Sequence, residues 1–148
     1  MLKRFLLLMF GSALSVNVQA KVDLVKVVKS TNTMHLYQGE TRIKTYHVAL
    51  GGDPEGHYIL DYVKEDSAYY RAMHISYPNQ QDLDHADKLG VSAGGFIMIH
   101  GQKNGLGWLS SITQQFNWTD GCIALTNSEM DEFLSLVKPP TNIQTVWE

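Results

Sequence analysis

Residues 116–133 read FNWTDGCIALTNSEMDEF. Cys122 follows a glycine and precedes the apolar run Ile123-Ala124-Leu125. Thr126-Asn127-Ser128-Glu129 has the pattern of a capping box, in which the threonine oxygen takes a backbone N–H and the glutamate reaches back. Met130, Phe133, Leu134 and Val137 then share one stripe of the helix this box opens. Cys122 is the only cysteine among 148 residues. It cannot pair within the chain, so it is a small buried side chain, a partner in an intermolecular bond, or a thiol used for chemistry.

Outward from this stretch the pattern is mostly strand. Val22–Val28 is apolar with partial alternation, and Lys29–Asn32 is a turn. Met34–Tyr37 and Thr41–Leu50 follow as strands around a Gln38-Gly39-Glu40 turn, the opening of a β-meander. A tight loop, Gly51–Gly56, leads to a strand over His57–Val63, and Ala72–Tyr77 forms another before Pro78-Asn79. Gln80–Leu89 is polar and helix-compatible and stops at Gly90. Phe96-Ile97-Met98-Ile99 reads as a central strand buried on both faces, ending on His100-Gly101, and Ile143–Trp147 as a closing strand. The expected fold is mostly β, a sandwich or a partly closed barrel, with one or two short helices.

Residues 1–20 have the pattern of a cleavable secretory leader. Lys3 and Arg4 precede an apolar run from Phe5 to Leu14, and Val18-Gln19-Ala20 offers small residues for cleavage. The run falls short of the roughly 20 apolar residues a membrane span needs. Export is expected, with one domain over residues 21–148. Lys3 and Arg4 are the only charges in the leader, so the net charge of −3 becomes −5 after cleavage. No basic cluster suits nucleic acid or an anionic membrane.

The chemistry gathers at His100 and Cys122. A thiol becomes a strong nucleophile as a thiolate, and a histidine in reach can take its proton and later return one to a leaving group. Gly121 permits a tight turn that brings successive N–H groups toward one point, as an oxyanion hole requires. The alternatives are a buried structural cysteine and a core histidine bonded to a carbonyl. No cluster of His, Cys, Asp or Glu around the pair makes a zinc site, and no metal or cofactor is expected.

His100-Gly101, a 17-residue spacer, and Thr119-Asp120-Gly121-Cys122-Ile123 together resemble the signature of the L,D-transpeptidase catalytic domain family. Tyr46–Gly51 with Pro54-Glu55-Gly56-His57-Tyr58 resembles a further segment of the family, and Met73–Asn79, Gly95–Gly101 and Asn104–Trp108 resemble one exported Gram-negative branch, which makes the periplasm the expected destination. The resemblance covers nearly all of residues 22–147. It implies a β-rich domain with the thiol in a cleft and acyl transfer on peptidoglycan stem peptides, through a thioester on Cys122. His100 would act as base and then acid. N–H groups near Asp120, Gly121 and Cys122 would hold the oxyanion, and Thr119 would support the loop. His74, Gly101 and Trp108 are candidates for the cleft, with a satisfied strand histidine as the alternative for His74. Trp108 and Trp118 could also form a glycan platform, or pack in the core. The acceptor could be a neighbouring stem's amine, a lysine of a wall-linked protein, or water.

Three departures from the family pattern stand out. Asp120 replaces a frequent histidine, and is expected to face solvent or bond the backbone. Ala124 stands where many relatives carry Arg or Asn that could hold a substrate carboxylate. Only Gly52-Asp53 separates Gly51 from Pro54, a shorter loop than in near relatives and one that could leave the site open. Papain-like and NlpC-type hydrolases place cysteine before histidine, and a sortase needs an arginine after the cysteine, whereas the last arginine here is Arg71. Hydrolysis of the same substrates, as an L,D-carboxypeptidase or amidase, and a non-catalytic peptidoglycan-binding module remain the alternatives.

Overall fold

A computed structural model describes residues 21–52 and 54–148; the expected leader at residues 1–20 and Asp53 lie outside the described residues. Eight strands and three α-helices follow in the order β1 (Leu24–Val28), β2 (Thr33–Gln38), β3 (Thr41–His47), β4 (Gly56–Lys64), β5 (Ala72–Ile75), α1 (Gln80–Leu89), β6 (Met98–His100), α2 (Ser110–Thr113), β7 (Ile123–Ala124), α3 (Asn127–Leu136) and β8 (Thr141–Val146). The strands form one sheet in the order β3-β2-β1-β8-β4-β5-β6-β7.

The sheet is built from alternation. Val25 and Val27 of β1 and Met34 and Leu36 of β2 are fully buried, while their sequence neighbours are not. The same period of two puts Tyr58 and Leu60, Met73 and Ile75, and Ile99 and Ile123 on the core face. β8 lies in the middle, parallel to β1 through Val25↔Ile143 and antiparallel to β4 through Tyr58↔Ile143. Just past edge strand β3, Ala49 forms an antiparallel bridge with Ala124 of the opposite edge strand. Two backbone bonds hold it, Ala49 N to Ala124 O at 3.0 Å and Ala124 N to Ala49 O at 2.8 Å. The bridge curls the sheet into a half-barrel, so the partly closed barrel is found rather than a two-sheet sandwich.

Both longer helices start on capping boxes. Asn79 Oδ1 accepts from Asp82 N at 3.1 Å, and Asp82 Oδ2 accepts from Asn79 N at 2.8 Å. Thr126 and Glu129 make the same reciprocal pair. These bonds satisfy N–H groups that a helix start leaves without intrahelical partners. Helix α1 stops at Gly90, whose φ of 65° is left-handed. Helix α3 buries Met130, Phe133 and Leu134 in the core, with Phe133 edge-on to Tyr46 at 6.5 Å.

Two expectations are corrected. A third helix, α2, occupies four residues of the segment between His100 and Cys122; nothing in its polar sequence has a helical stripe. Strand β6 starts at Met98, and Phe96 is 79 % exposed with φ 57° instead of lying in a buried strand. The glycines at 94 and 95 let the chain turn there, so the apolar run begins outside the sheet. Among the described residues no helix is long and apolar enough to cross a membrane.

Candidate active site

The site is set by the register of β6 on β7. These strands run parallel, with Ile99 beside Ile123 and His100 beside Ala124. Ile99 and Ile123 point into the core and are fully buried. Side chains alternate along a strand, so Met98, His100 and Cys122 share the opposite face. Thiol and imidazole therefore sit one strand apart on one surface and line the same pocket. Ala72 and Met98 line it with them, and Ser67, Tyr69, Phe96, Trp118, Thr119 and Asp120 complete it.

Cys122 is half-buried, and its Sγ lies 3.8 Å from the Phe96 carbonyl oxygen. His100 is 5 % exposed. Its Nδ1 lies 2.6 Å from the Gly101 carbonyl oxygen. A carbonyl oxygen has no proton to give, so Nδ1 carries the hydrogen and Nε2 is the basic nitrogen of the neutral ring. Tyr69 lies against the imidazole at 4.7 Å between centroids, and Trp118 meets it edge-on at 5.8 Å. Burial under these rings pushes the His100 pKa below its ordinary value, and the bond to Gly101 offsets this only in part.

The loop before β7 is fixed by backbone and polar contacts. Thr119 Oγ1 donates to the Cys122 carbonyl at 2.5 Å, closing a turn around Gly121, whose φ is 99°. Thr119 N donates to Leu50 O, and Leu50 N donates to Asn117 Oδ1 at 3.0 Å. Gly51 lies directly beneath this loop. A Cβ there would overlap Thr119 O and stand 2.5 Å from Gly121 N. On the other side Gln102, 1 % exposed, ties three segments together. It donates to Leu125 O at 2.8 Å and Gln114 Oε1 at 3.0 Å, and accepts from Thr113 Oγ1 at 2.6 Å.

The structure thus brings Cys122, His100, Thr119, Asp120 and Gly121 together. Asp120 is exposed at the rim. Ala124 is fully buried in its bridge to Ala49, so that position presents nothing to a ligand. The three remaining cleft candidates do not line the pocket. His74 is a strand histidine bonded to Asp61 at 2.7 Å. Gly101 is packed against Tyr70 and Asn127, where a Cβ would come within 2.8 Å of each. Trp108 is 77 % exposed on a short 3-10 turn, Gly107–Leu109. Of Trp108 and Trp118, only Trp118 reaches the pocket. Tyr69, Phe96 and Gln102 escaped the sequence reading. A tyrosine in a polar loop and an isolated buried glutamine carry no periodic signal, and Phe96 was absorbed into the apolar run.

A β-rich half-barrel with a histidine and a cysteine on one face of adjacent strands is the architecture of a known class. The L,D-transpeptidase catalytic domain model matches residues 22–145, and the chain belongs to that family. Among curated proteins it is 30 % identical over 132 residues to the Escherichia coli K12 protein named "Putative L,D-transpeptidase YafK", covering 76 % of this chain and 46 % of that one. The chain therefore spans about half the length of the curated relatives it matches. Among solved structures it superposes on Bdellovibrio bacteriovorus Bd1075 with a TM-score of 0.67 and 20 % identity, over 86 % of this chain and 48 % of the other. The helical cell shape determining protein Pgp2 of Campylobacter jejuni gives 0.66 at 24 %, over 86 % and 47 %. A Mycobacterium smegmatis L,D-transpeptidase gives 0.59 at 11 %, over 83 % and 58 %. At these identities the structures share the fold.

Proposed function

We propose that the chain is a cysteine acyltransferase that remodels peptidoglycan stem peptides outside the cytoplasm, in the periplasm. One observation carries this reading: Cys122 and His100 face one pocket from adjoining parallel strands, with the basic nitrogen of His100 set by the Gly101 carbonyl. His100 Nε2 takes the Cys122 proton, and the sulfur attacks the carbonyl at the L-to-D junction of the stem. A C–S bond forms as the carbonyl π electrons move to oxygen. Backbone N–H groups around Asp120, Gly121 and Cys122 hold that oxyanion. When it collapses the C–N bond breaks, and the imidazolium protonates the departing D-amino acid. An acceptor amine then attacks the thioester and gives a proton to His100. The new C–N bond replaces the C–S bond and the thiolate is released. Thr119 acts here as a positioning residue, holding the Cys122 carbonyl.

Incubation of the protein with disaccharide-tetrapeptide muropeptides, with product masses read out, tests the proposal. Cross-linked dimers with loss of the terminal D-amino acid are expected. Shortened stems alone would mean that water is the acceptor, and release of a stem-linked protein would mean an amidase. No change in mass with any of these would overturn the enzyme reading in favour of a binding module.

The buried imidazole also sets a pH dependence. The ring is a base only when neutral, and its pKa lies below the ordinary 6.5. The acid limb of kcat/KM should therefore have its midpoint below pH 6.5, with full activity above it. An acid limb centred above 6.5 would mean that His100 is not the base being titrated.

A further inference from the structure

The face that carries the pocket does not end at Met98. His74 of β5 pairs with Met98, and Ala72, two residues earlier, pairs with His100 and lines the pocket. His74 therefore lies on the pocket's face, at its Met98 edge. The next strand, β4, shifts register between Leu60 and Val63. Leu60 is in the core, so Asp61 turns to the pocket's face, and the irregularity brings Tyr62 beside it. There His74 Nδ1 donates to Asp61 Oδ1 at 2.7 Å, and the His74 ring stacks on Tyr62 at 4.6 Å and 15°. Tyr62 remains 43 % exposed, and the Asp61 side chain 39 %. The result is a rigid aromatic plate held from one side, with an anchored carboxylate that keeps further acceptor sites.

We propose that Asp61, His74 and Tyr62 form a sugar subsite that seats the glycan end of the muropeptide whose stem enters the pocket. This rests on the proposed function. An aromatic ring beside a fixed carboxylate is the chemistry that recognises a pyranose: the C–H face lies on the ring and the hydroxyls donate to the oxygens. The spacing agrees with it. Strand β4 is three strands from β7, about 14 Å along the sheet. The attacked carbonyl belongs to the third residue of the stem, and three extended residues reach about 10 Å. The lactyl ether between peptide and sugar makes up the difference. A peptide running from Cys122 across Met98 would thus deliver its sugar to Tyr62.

Calorimetric titration of a Cys122→Ala chain, which cannot turn its ligand over, tests the subsite. Two ligands are compared, a disaccharide-tetrapeptide and the free tetrapeptide of the same sequence. The disaccharide compound is expected to bind about tenfold tighter, with Tyr62→Ala reducing that advantage to within about twofold and Tyr62→Phe keeping it. Affinity for the free tetrapeptide should not move in either variant. Absence of any preference in the parent, its survival in Tyr62→Ala, or an equal loss for both ligands would overturn the proposal. Failure of the function reading is seen separately, as unchanged product masses with Cys122 intact.

Discussion

Cys122→Ala is expected to abolish product formation from muropeptides, by about 10³-fold or more, with the fold retained. Everything in the proposed reaction is covalent at this sulfur, and no other thiol exists in the chain to replace it. His100→Ala should lose a comparable factor, because a thiol deprived of its base is a weak nucleophile at neutral pH. The double variant should be little worse than either single one, since the two residues act as a unit. A thiol-directed alkylating probe gives an independent readout. It should label the native protein quickly and label His100→Ala slowly at the same pH. Turnover surviving in Cys122→Ala would exclude the thioester.

Gly51→Ala should be nearly as damaging, although residue 51 does not line the pocket. The added methyl meets backbone rather than a flexible side chain, overlapping Thr119 O and lying 2.6 Å from Thr119 C. Either the thiol loop or the end of the β3 segment must move. Overpacking of this kind costs about 3 kcal/mol, which for a domain of this size lowers Tm by about 10 °C. Turnover should fall with it, because the displaced loop carries Cys122. Gly52→Ala is the matched control: a Cβ there meets nothing within 4 Å. That variant should stay within about 0.5 kcal/mol of the parent. Equal melting temperatures for the two variants would show that Gly51 does not fix the loop.

The reach of the sequence can be judged from particular residues. Helix α1 was legible from Gln80 to its stop at Gly90, and the start of α3 from the Thr126–Glu129 box, while Val137, read on the helical stripe, is the extended residue that ends α3. The strands of the meander were legible from alternation. What could not be read was long-range placement. The bridge from Ala49 to Ala124 joins residues 75 positions apart through backbone atoms alone, so two alanines announce nothing. Tyr69 and Trp118 meet at His100 only because the β4–β5 loop folds over β6. His74 shared a face with His100, but a partner in Asp61 held it outside the pocket, and pairing across a bulge has no sequence signal. Position 51 looked like one more loop glycine until the thiol loop was found lying on it.

The placement of β8 bears on how the molecule comes into being. Val25 finds Ile143 beside it, 118 positions later, and Tyr58 meets the same isoleucine from the other side. Before residues 141–146 take their place, the first three strands and the strands that carry His100 and Cys122 are two leaves that share no sheet pairing beyond the Ala49–Ala124 bridge, each with a raw hydrogen-bonding margin. Closing so distant a pairing is slow, and the waiting leaves are prone to stick to other chains. Joining the two leaves through β8 is therefore a late event, and the half-barrel is complete only once residues 141–146 are in place.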